Sequence, residues 1–505
     1  MRGVHLILLA GLLGALTSEA QELRRRVESY VEANQSRIVG ELRQALSIPD
    51  VASDRENVRK KAEFLRERFA ERNFSAELLD TEGNPLVWAE LRARALGADR
   101  TLLLYCHYDG QPVDPDRWEQ PDPFVPVLRD GKLEDGAAVI ELDPQSKLED
   151  DWRIYGRSSS DDTGPIIALL AAVDALKSVG VEPSANLRVI LDGEEEAGSP
   201  NLAPAIGRFR DKLEADLMLV LDGPLHQSGK PTVVYGARGI LTLELTVYGP
   251  RVPLHSGHYG NWAPNPAMRL ARLLASMKDD QGRVLIEGFY EGIEIGPDER
   301  AVLDSVPDDL EELKRFLGFS EAEEVGDTLQ EAIQYPSLNV RGLQSAWVGS
   351  EARTIVPDEA VAAIDVRLVK ETDADRMYEK IRRHIEAQGY HIVDEDPDDA
   401  TRAAWGRIVR VRRSAGSNAY RTELDNPEAV RIVEAITEMW GAPPIRKRTS
   451  GGTVPIAQFI NELGFPALNV PTVNFDNNQH SPNENLRLGH FFESIVTIAA
   501  ILTAY

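Results

Sequence analysis

Three predominantly apolar runs, at residues 101–106, 187–191 and 216–221, each pass directly into polar and acidic residues. His107-Tyr-Asp109 follows the first, Asp192-Gly-Glu-Glu-Glu196 the second and Asp222-Gly-Pro224 the third. Apolar runs of this length without alternation predict strands buried on both faces. Residues 165–179 read as a helix opened by Pro165, and residues 21–73 carry Leu42, Leu46, Phe64, Leu65 and Phe69 at helix-compatible spacings among many charges. Strands alternating with helices predict an α/β fold with a largely parallel sheet. Ligands of such sheets gather at the carboxyl ends of strands, so the three acidic strand ends are expected to face one site.

Around Gly236 the pattern changes. Residues 240–248 and 360–368 alternate apolar and polar positions, and a helical pattern occupies 373–388. Alternation predicts a sheet with one covered face, hence a separate small α+β domain. Residues 278–335 are acidic and largely helical in pattern, and 129–151 read as an acidic surface loop. The α/β signature returns after residue 415, with a helix at 427–440, an apolar run at 467–470 and a closing helix at 489–505. The expected organisation is a signal segment at 1–20, a catalytic domain built from 21–236 and 416–505, and an inserted domain at 237–415.

A chain of 505 residues exceeds one ordinary core, which agrees with two domains. At the amino terminus Arg2 precedes the apolar run 4–16, and Ser18-Glu19-Ala20 offers small residues at cleavage-site spacing. This predicts a secretory signal peptide and a secreted or periplasmic protein with no membrane span after its removal; a retained anchor is the rival reading. Cys106 is the single cysteine, so no intramolecular disulfide can form, and burial as a small hydrophobe is expected of it. The net charge of -26 argues against nonspecific binding to nucleic acid or anionic membrane. It also makes chance acidic clusters common, so context must decide which carboxylates matter.

His107 and Asp109 lie two positions apart at a strand end and therefore share a face. A neutral imidazole there can bind a metal while a carboxylate fixes its tautomer. Asp161 and Asp162 stand immediately before a helix start, where N-capping is the plainer role. Glu194, Glu195 and Glu196 put three like charges in a turn, which need solvent or cations to compensate them. His480 sits in the polar loop Asn477-Asn-Gln-His-Ser-Pro-Asn-Glu484, where a surface histidine is the alternative.

Taken together these segments resemble the co-catalytic zinc exopeptidase and amidohydrolase family that includes carnosinase, aminoacylase-1, carboxypeptidase G2 and succinyl-diaminopimelate desuccinylase. The dipeptidase and carnosinase branch is the most similar. The matching motifs occur in family order: His107-Tyr-Asp109 with Gln111-Pro-Val-Asp114; Gly156-Arg157 with Asp161 and Gly164-Pro165; Asp192-Gly-Glu-Glu-Glu-Ala-Gly-Ser199; Asp222; Tyr235-Gly-Ala-Arg-Gly239; His255-Ser-Gly257; Tyr335-Pro-Ser-Leu338; and His480-Ser-Pro-Asn-Glu484. The resemblance implies a three-layer catalytic domain with an inserted ferredoxin-like lid that also forms a homodimer. It further implies two zinc ions per subunit, with manganese or cobalt as possible substitutes, bridged by Asp161. His107 and Asp222 would complete one ion's protein ligands, Glu196 and His480 the other's. Nitrogen and oxygen donors with open positions suit catalytic zinc, and a carboxylate can bridge ions about 3.5 Å apart.

By the same resemblance Glu195 is the general base, Asp109 orients His107, and His255 stabilises the oxyanion, often in the partner subunit's site. His258 matches no family position and is expected at the surface. Arg367 aligns with an arginine that holds the substrate carboxylate, a task suited to a bidentate guanidinium. Thr354 and the backbone of Gly451, Gly452 and Thr453 align with further substrate contacts. The chain departs from the family at Thr163, where many members have lysine, at Cys106, where glycine is common, and at Asp192, where glutamate is common. The implied activity is hydrolysis of dipeptides or related small amides with a free carboxylate. An N-acyl-amino-acid deacylase or desuccinylase shares the same chemistry, and a noncatalytic binding relative would be expected to lack Glu195.

Overall fold

The computed structural model describes residues 2–94, 99–142, 147–414, 416–453 and 456–505, with the backbone alone for residues 2–18 and 461. The chain divides into two compact units. The first comprises Met1–Tyr235, Thr422–Lys447 and Gln458–Tyr505. The second comprises Gly236–Arg421 and Arg448–Ala457, so a short return near residue 450 joins it that the sequence pattern did not single out.

The first unit is built on an eight-stranded sheet. Six of its strands are β1 (Ser75–Leu79), β2 (Leu86–Leu91), β3 (Thr101–His107), β4 (Asn186–Asp192), β5 (Leu217–Val220) and β6 (Thr232–Val234). The spatial order is β1, β2, β4, β3, β5, Ala467–Asn469, β6, Ile445–Lys447. The centre is parallel: β3 lies between β4 and β5, with Leu104 opposite Val189 and Leu219. These strands are buried on both faces because helices cover them, which is why their sequences lack alternation.

The first unit's five longest described helices are α1 (Arg2–Leu46), α2 (Arg55–Glu71), α3 (Thr163–Ser178), α4 (Pro427–Trp440) and α5 (Leu488–Ala504). α3 and α5 are apolar nearly all round and pack on each other, while α1 and α4 lie against them. Helices this apolar must be enclosed. The helical region expected at 21–73 is two helices divided at residues 47–54, where Asp54 caps α2 through the amide of Asn57 at 3.2 Å.

A smaller four-stranded sheet pairs Asn485–Arg487 with Arg153–Tyr155, followed by Val127–Arg129 and Val139–Ile140. Asn485 stands opposite Tyr155, which brings the loops on either side of these two strands together. The expected acidic loop at 129–151 therefore contributes short strands and turns, and its residues 143–146 lie outside the described residues.

The second unit has a five-stranded sheet in the order Ser337–Gln344, Glu359–Leu368, Gly239–Tyr248, Ile408–Arg413, His391–Val393. Along Glu359–Leu368 every second residue is buried, as the alternation predicts. The inward face packs against Pro266–Met277 and Ala374–Ala387 through Leu270, Leu273, Met377, Ile381 and Ile385.

Three helices of the first unit are tied by one guanidinium. Arg72, just past α2, donates from Nε and Nη2 to Asp174 of α3 at 3.0 and 2.7 Å, and from Nη2 to Glu41 of α1 at 2.9 Å. Removing one partner of a buried ion network leaves uncompensated charge. Arg72→Ala is expected to destabilise the first unit by about 3 kcal/mol in urea unfolding monitored by circular dichroism; an unchanged midpoint would show that packing alone holds these helices.

Candidate active site

Sheet register sets the first half of the site. His107 ends β3 opposite Asp192, which ends β4, while the Leu221 amide beyond β5 donates to the Tyr105 carbonyl at 3.1 Å and carries Asp222 to the same edge. His107 is buried, with Nδ1 3.1 Å from the Asp109 carbonyl and 3.5 Å from its Oδ1. The Asp109 carboxylate has a second task. It accepts from the amides of Glu195 and Glu196 at 3.1 and 3.0 Å, fixing the turn that presents both glutamates.

Asp161 comes from the loop between Arg153–Tyr155 and α3. Glu484 organises this loop from below: its buried carboxylate accepts from Arg157 Nη1 at 2.7 Å, from the amides of Ser158, Ser160 and Asp161 at 3.0, 2.9 and 3.1 Å, and from Ser160 Oγ at 2.9 Å. So many donors to one carboxylate leave the loop little freedom. The loop after Phe475 brings His480 in with φ of 60°, an uncommon left-handed conformation for a side chain other than glycine.

The two loops converge on the carboxylate of Asp161. Its Oδ1 lies 2.8 Å from His107 Nε2 and its Oδ2 lies 3.1 Å from His480 Nε2. His480 Nε2 is also 3.3 Å from Glu196 Oε2. Donor atoms of His107, Asp161 and Asp222 lie within 4.8 Å of one another, as do those of Asp161, Glu196 and His480. Two donor groups thus share one aspartate. Around them Gln111 Nε2 donates to Glu196 Oε2 at 2.7 Å and Gln479 Nε2 to Asp161 Oδ2 at 3.3 Å.

The electrostatics fit a cationic occupant. Burial, with repulsion from Asp222, Glu196 and Asp161, pushes Glu195 up to about 8 despite His107. Burial and Asp161 raise Glu196 to about 7 and Asp222 to about 6. His480 is raised to about 9, first by its hydrogen bond to Asp161, and His107 is raised well above the usual range by Asp109 and Asp161 although burial opposes it. Burial disfavours ionised Asp161 too, but the two imidazoles more than reverse that and lower its pKa. Without cations this cluster can hold its acids only by retaining protons, and divalent ions displace such protons. Imidazole and carboxylate donors are those that zinc accepts, so the residues present fit the metals that the sequence implies.

The remaining expected residues lie in the second unit, in two places. His255 and Thr354 share one short hairpin: His255 pairs with Ile355, the Ser256 amide donates to the Thr354 carbonyl at 2.9 Å, and both named side chains are exposed. His258 is exposed beside His255 with ring centroids 4.6 Å apart. Elsewhere Arg367 Nη1 donates to Thr453 Oγ1 at 2.8 Å, and the Arg238 amide donates to the Gly452 carbonyl at 3.2 Å, holding the Gly451-Gly452-Thr453 loop. Cys106 is fully buried, and burial raises its thiol well above the ordinary range. Asp192 is also buried, accepting from Ser199 Oγ at 2.5 Å, the Glu194 amide at 3.0 Å and the Tyr105 hydroxyl at 3.4 Å. The sequence reading assigned no role to Gln111, Gln479 or Glu484, although each lies inside or beside a quoted motif.

The model of peptidase family M20/M25/M40 matches residues 103–504. The Cys-Gly metallodipeptidase DUG1 of Candida albicans is 26% identical over 495 residues, covering 94% of this chain and 96% of that protein. The human Beta-Ala-His dipeptidase is 25% identical over 526 residues, covering 98% and 96%. The crystal structure of the M20 family metallo-carboxypeptidase Sso-CP2 from Sulfolobus solfataricus superposes with a TM-score of 0.75 at 29% identity, over 93% of this chain and 99% of that one.

These relatives correct one expectation, that of a secreted or periplasmic protein. The three fungal Cys-Gly metallodipeptidases align along 92 to 94% of this chain. The apolar run at 4–16 is part of α1, and no described helix is long and apolar enough to cross a membrane. With its catalytic-type α/β unit, its α+β unit and a family match over four-fifths of its length, the chain belongs to peptidase family M20/M25/M40.

Proposed function

We propose that this peptidase hydrolyses dipeptides, or closely related small amides, that carry a free carboxylate. The observation that carries the reading is Asp161, whose two oxygens are divided between His107 and His480. His107, Asp161 and Asp222 would hold one divalent ion, and Asp161, Glu196 and His480 a second, with zinc the expected metal and manganese or cobalt as substitutes. When bound there, the ions supply Lewis acidity toward the scissile carbonyl and lower the pKa of an attacking water.

The protein's own groups do the rest. Glu195, fixed through its amide by Asp109, takes the proton of the attacking water at its carboxylate and delivers it to the leaving amine. Arg367, held by Thr453, receives the substrate carboxylate, with Thr354 and the Gly451-Gly452 backbone as further contacts. The dipeptide specificity rests on the relatives named above, the Cys-Gly and Beta-Ala-His dipeptidases.

The second unit acts as a lid and forms a homodimer in this reading. Its strand Ser337–Gln344 is a sheet edge with Val340 and Leu343 exposed, followed by exposed Trp347 and Val348. An open apolar strand edge favours pairing with another copy. His255, exposed on its hairpin, is then assigned to oxyanion stabilisation in the partner subunit's site.

Glu195→Gln should retain bound metal and lower kcat by about 10²- to 10⁴-fold on a dipeptide panel that includes N-acetylated and N-succinylated amino acids. Undiminished turnover would remove Glu195 from its role, and preference for the acylated amino acids would reassign the substrate class. Chelation should abolish hydrolysis, with zinc, manganese or cobalt restoring it; hydrolysis that survives complete metal removal contradicts the mechanism. Mixing inactive His255→Ala and Glu195→Gln protomers should recover about a quarter of wild-type activity if subunits exchange at random and His255 works across the dimer. No recovery despite proven exchange would place His255 in its own subunit's site.

A further inference from the structure

Beside the loop that carries Asp161 lies a buried cation with no part in the chemistry above. Lys61 of α2 and Asp50 are both fully buried, and Lys61 Nζ donates to Asp50 Oδ2 and, at 2.6 Å, to Thr163 Oγ1. Thr163 is the first residue of α3, two positions after Asp161, and its amide is held by the Ser158 carbonyl at 3.1 Å. The Asp50 carbonyl in turn accepts from the Gly110 amide at 2.9 Å, next to Asp109. A Cβ at Gly110 would stand 2.3 Å from Ser158 Oγ and 2.8 Å from Asp50 Oδ1, so these segments meet without spare room.

We propose that Lys61 is a positioning residue of the metal site: its ammonium, held by Asp50 and Thr163, ties the strand-end turn of His107 and Asp109 to the loop of Asp161. A buried ion pair is poor evidence for stability, since well-packed apolar groups often do as well. Retaining one at the junction of two ligand-bearing loops is better explained by register between them. Residues of this kind, which orient ligands without touching the metal, commonly change metal affinity 10- to 100-fold when removed. Thr163 Oγ1 accepts from Lys61 Nζ, so the ammonium reaches the first turn of α3 from a separate helix. The proposal rests on the two-ion reading above.

The test is a set of full-length, metal-stripped proteins: wild type, Lys61→Met, Thr163→Lys and the double variant Lys61→Met/Thr163→Lys. Zinc affinity is read by competition with a chromophoric chelator, and thermal midpoints of the stripped proteins are measured beside it. Lys61→Met is expected to bind zinc at least about tenfold more weakly. The double variant, with the ammonium moved to position 163, should return to within about threefold of wild type. Wild-type affinity in folded Lys61→Met would overturn the proposal, as would a double variant no better than Lys61→Met. If Lys61→Met fails to fold, the double variant decides: recovered folding with zinc binding supports the proposal, and failure to recover contradicts it. A wild-type protein that binds no zinc would overturn the two-ion reading and this proposal together, and is told apart by needing no variant.

Discussion

The carboxylate of Asp161 is the constraint on which the rest of the site depends. One oxygen faces His107 from the central strand and the other faces His480 from a loop more than 300 residues later in the chain. A carboxylate has only two oxygens at a fixed separation, so the two imidazoles must approach it from set directions. Each approach is enforced separately. The parallel register of β3 against β4 and β5 fixes His107, and the pairing of Asn485–Arg487 with Arg153–Tyr155 brings the His480 loop beside the Asp161 loop.

Placement of this quality requires that the loops themselves be held. Glu484 gathers three amides, a hydroxyl and a guanidinium beneath Asp161, while Asp109 gathers the two amides of the glutamate turn. Both are buried carboxylates whose partners are mainly backbone donors, which constrain a loop more strongly than side-chain contacts between flexible groups. The fold buries several acids close together, and the raised pKa values of Glu195, Glu196 and Asp222 express first that burial and then their mutual repulsion. Clustered acids perturbed in this way mark a candidate functional site.

Much of this was legible in the sequence. Unalternating apolar runs gave the buried parallel strands, strict alternation at 360–368 gave the half-covered sheet, and the helix read at 427–440 stands at Pro427–Trp440. What escaped depended on contacts between distant segments. Glu484 looked like one more acid in a chain with 82 of them, because its role exists only once two remote strands pair. Lys61 belongs to none of the motifs, yet it is fully buried on α2. The expected localisation rested on one local pattern, an apolar run with small residues after it, whose backbone forms part of α1.

The central claim is that one aspartate organises two cation sites. Zinc titration of metal-stripped wild-type protein and of Asp161→Asn, followed by equilibrium dialysis with elemental analysis, reads this directly. Two zinc ions per wild-type chain, with affinity lost at both sites in Asp161→Asn, is the result expected. A single ion in the wild type, or an unchanged pair in Asp161→Asn, would contradict it.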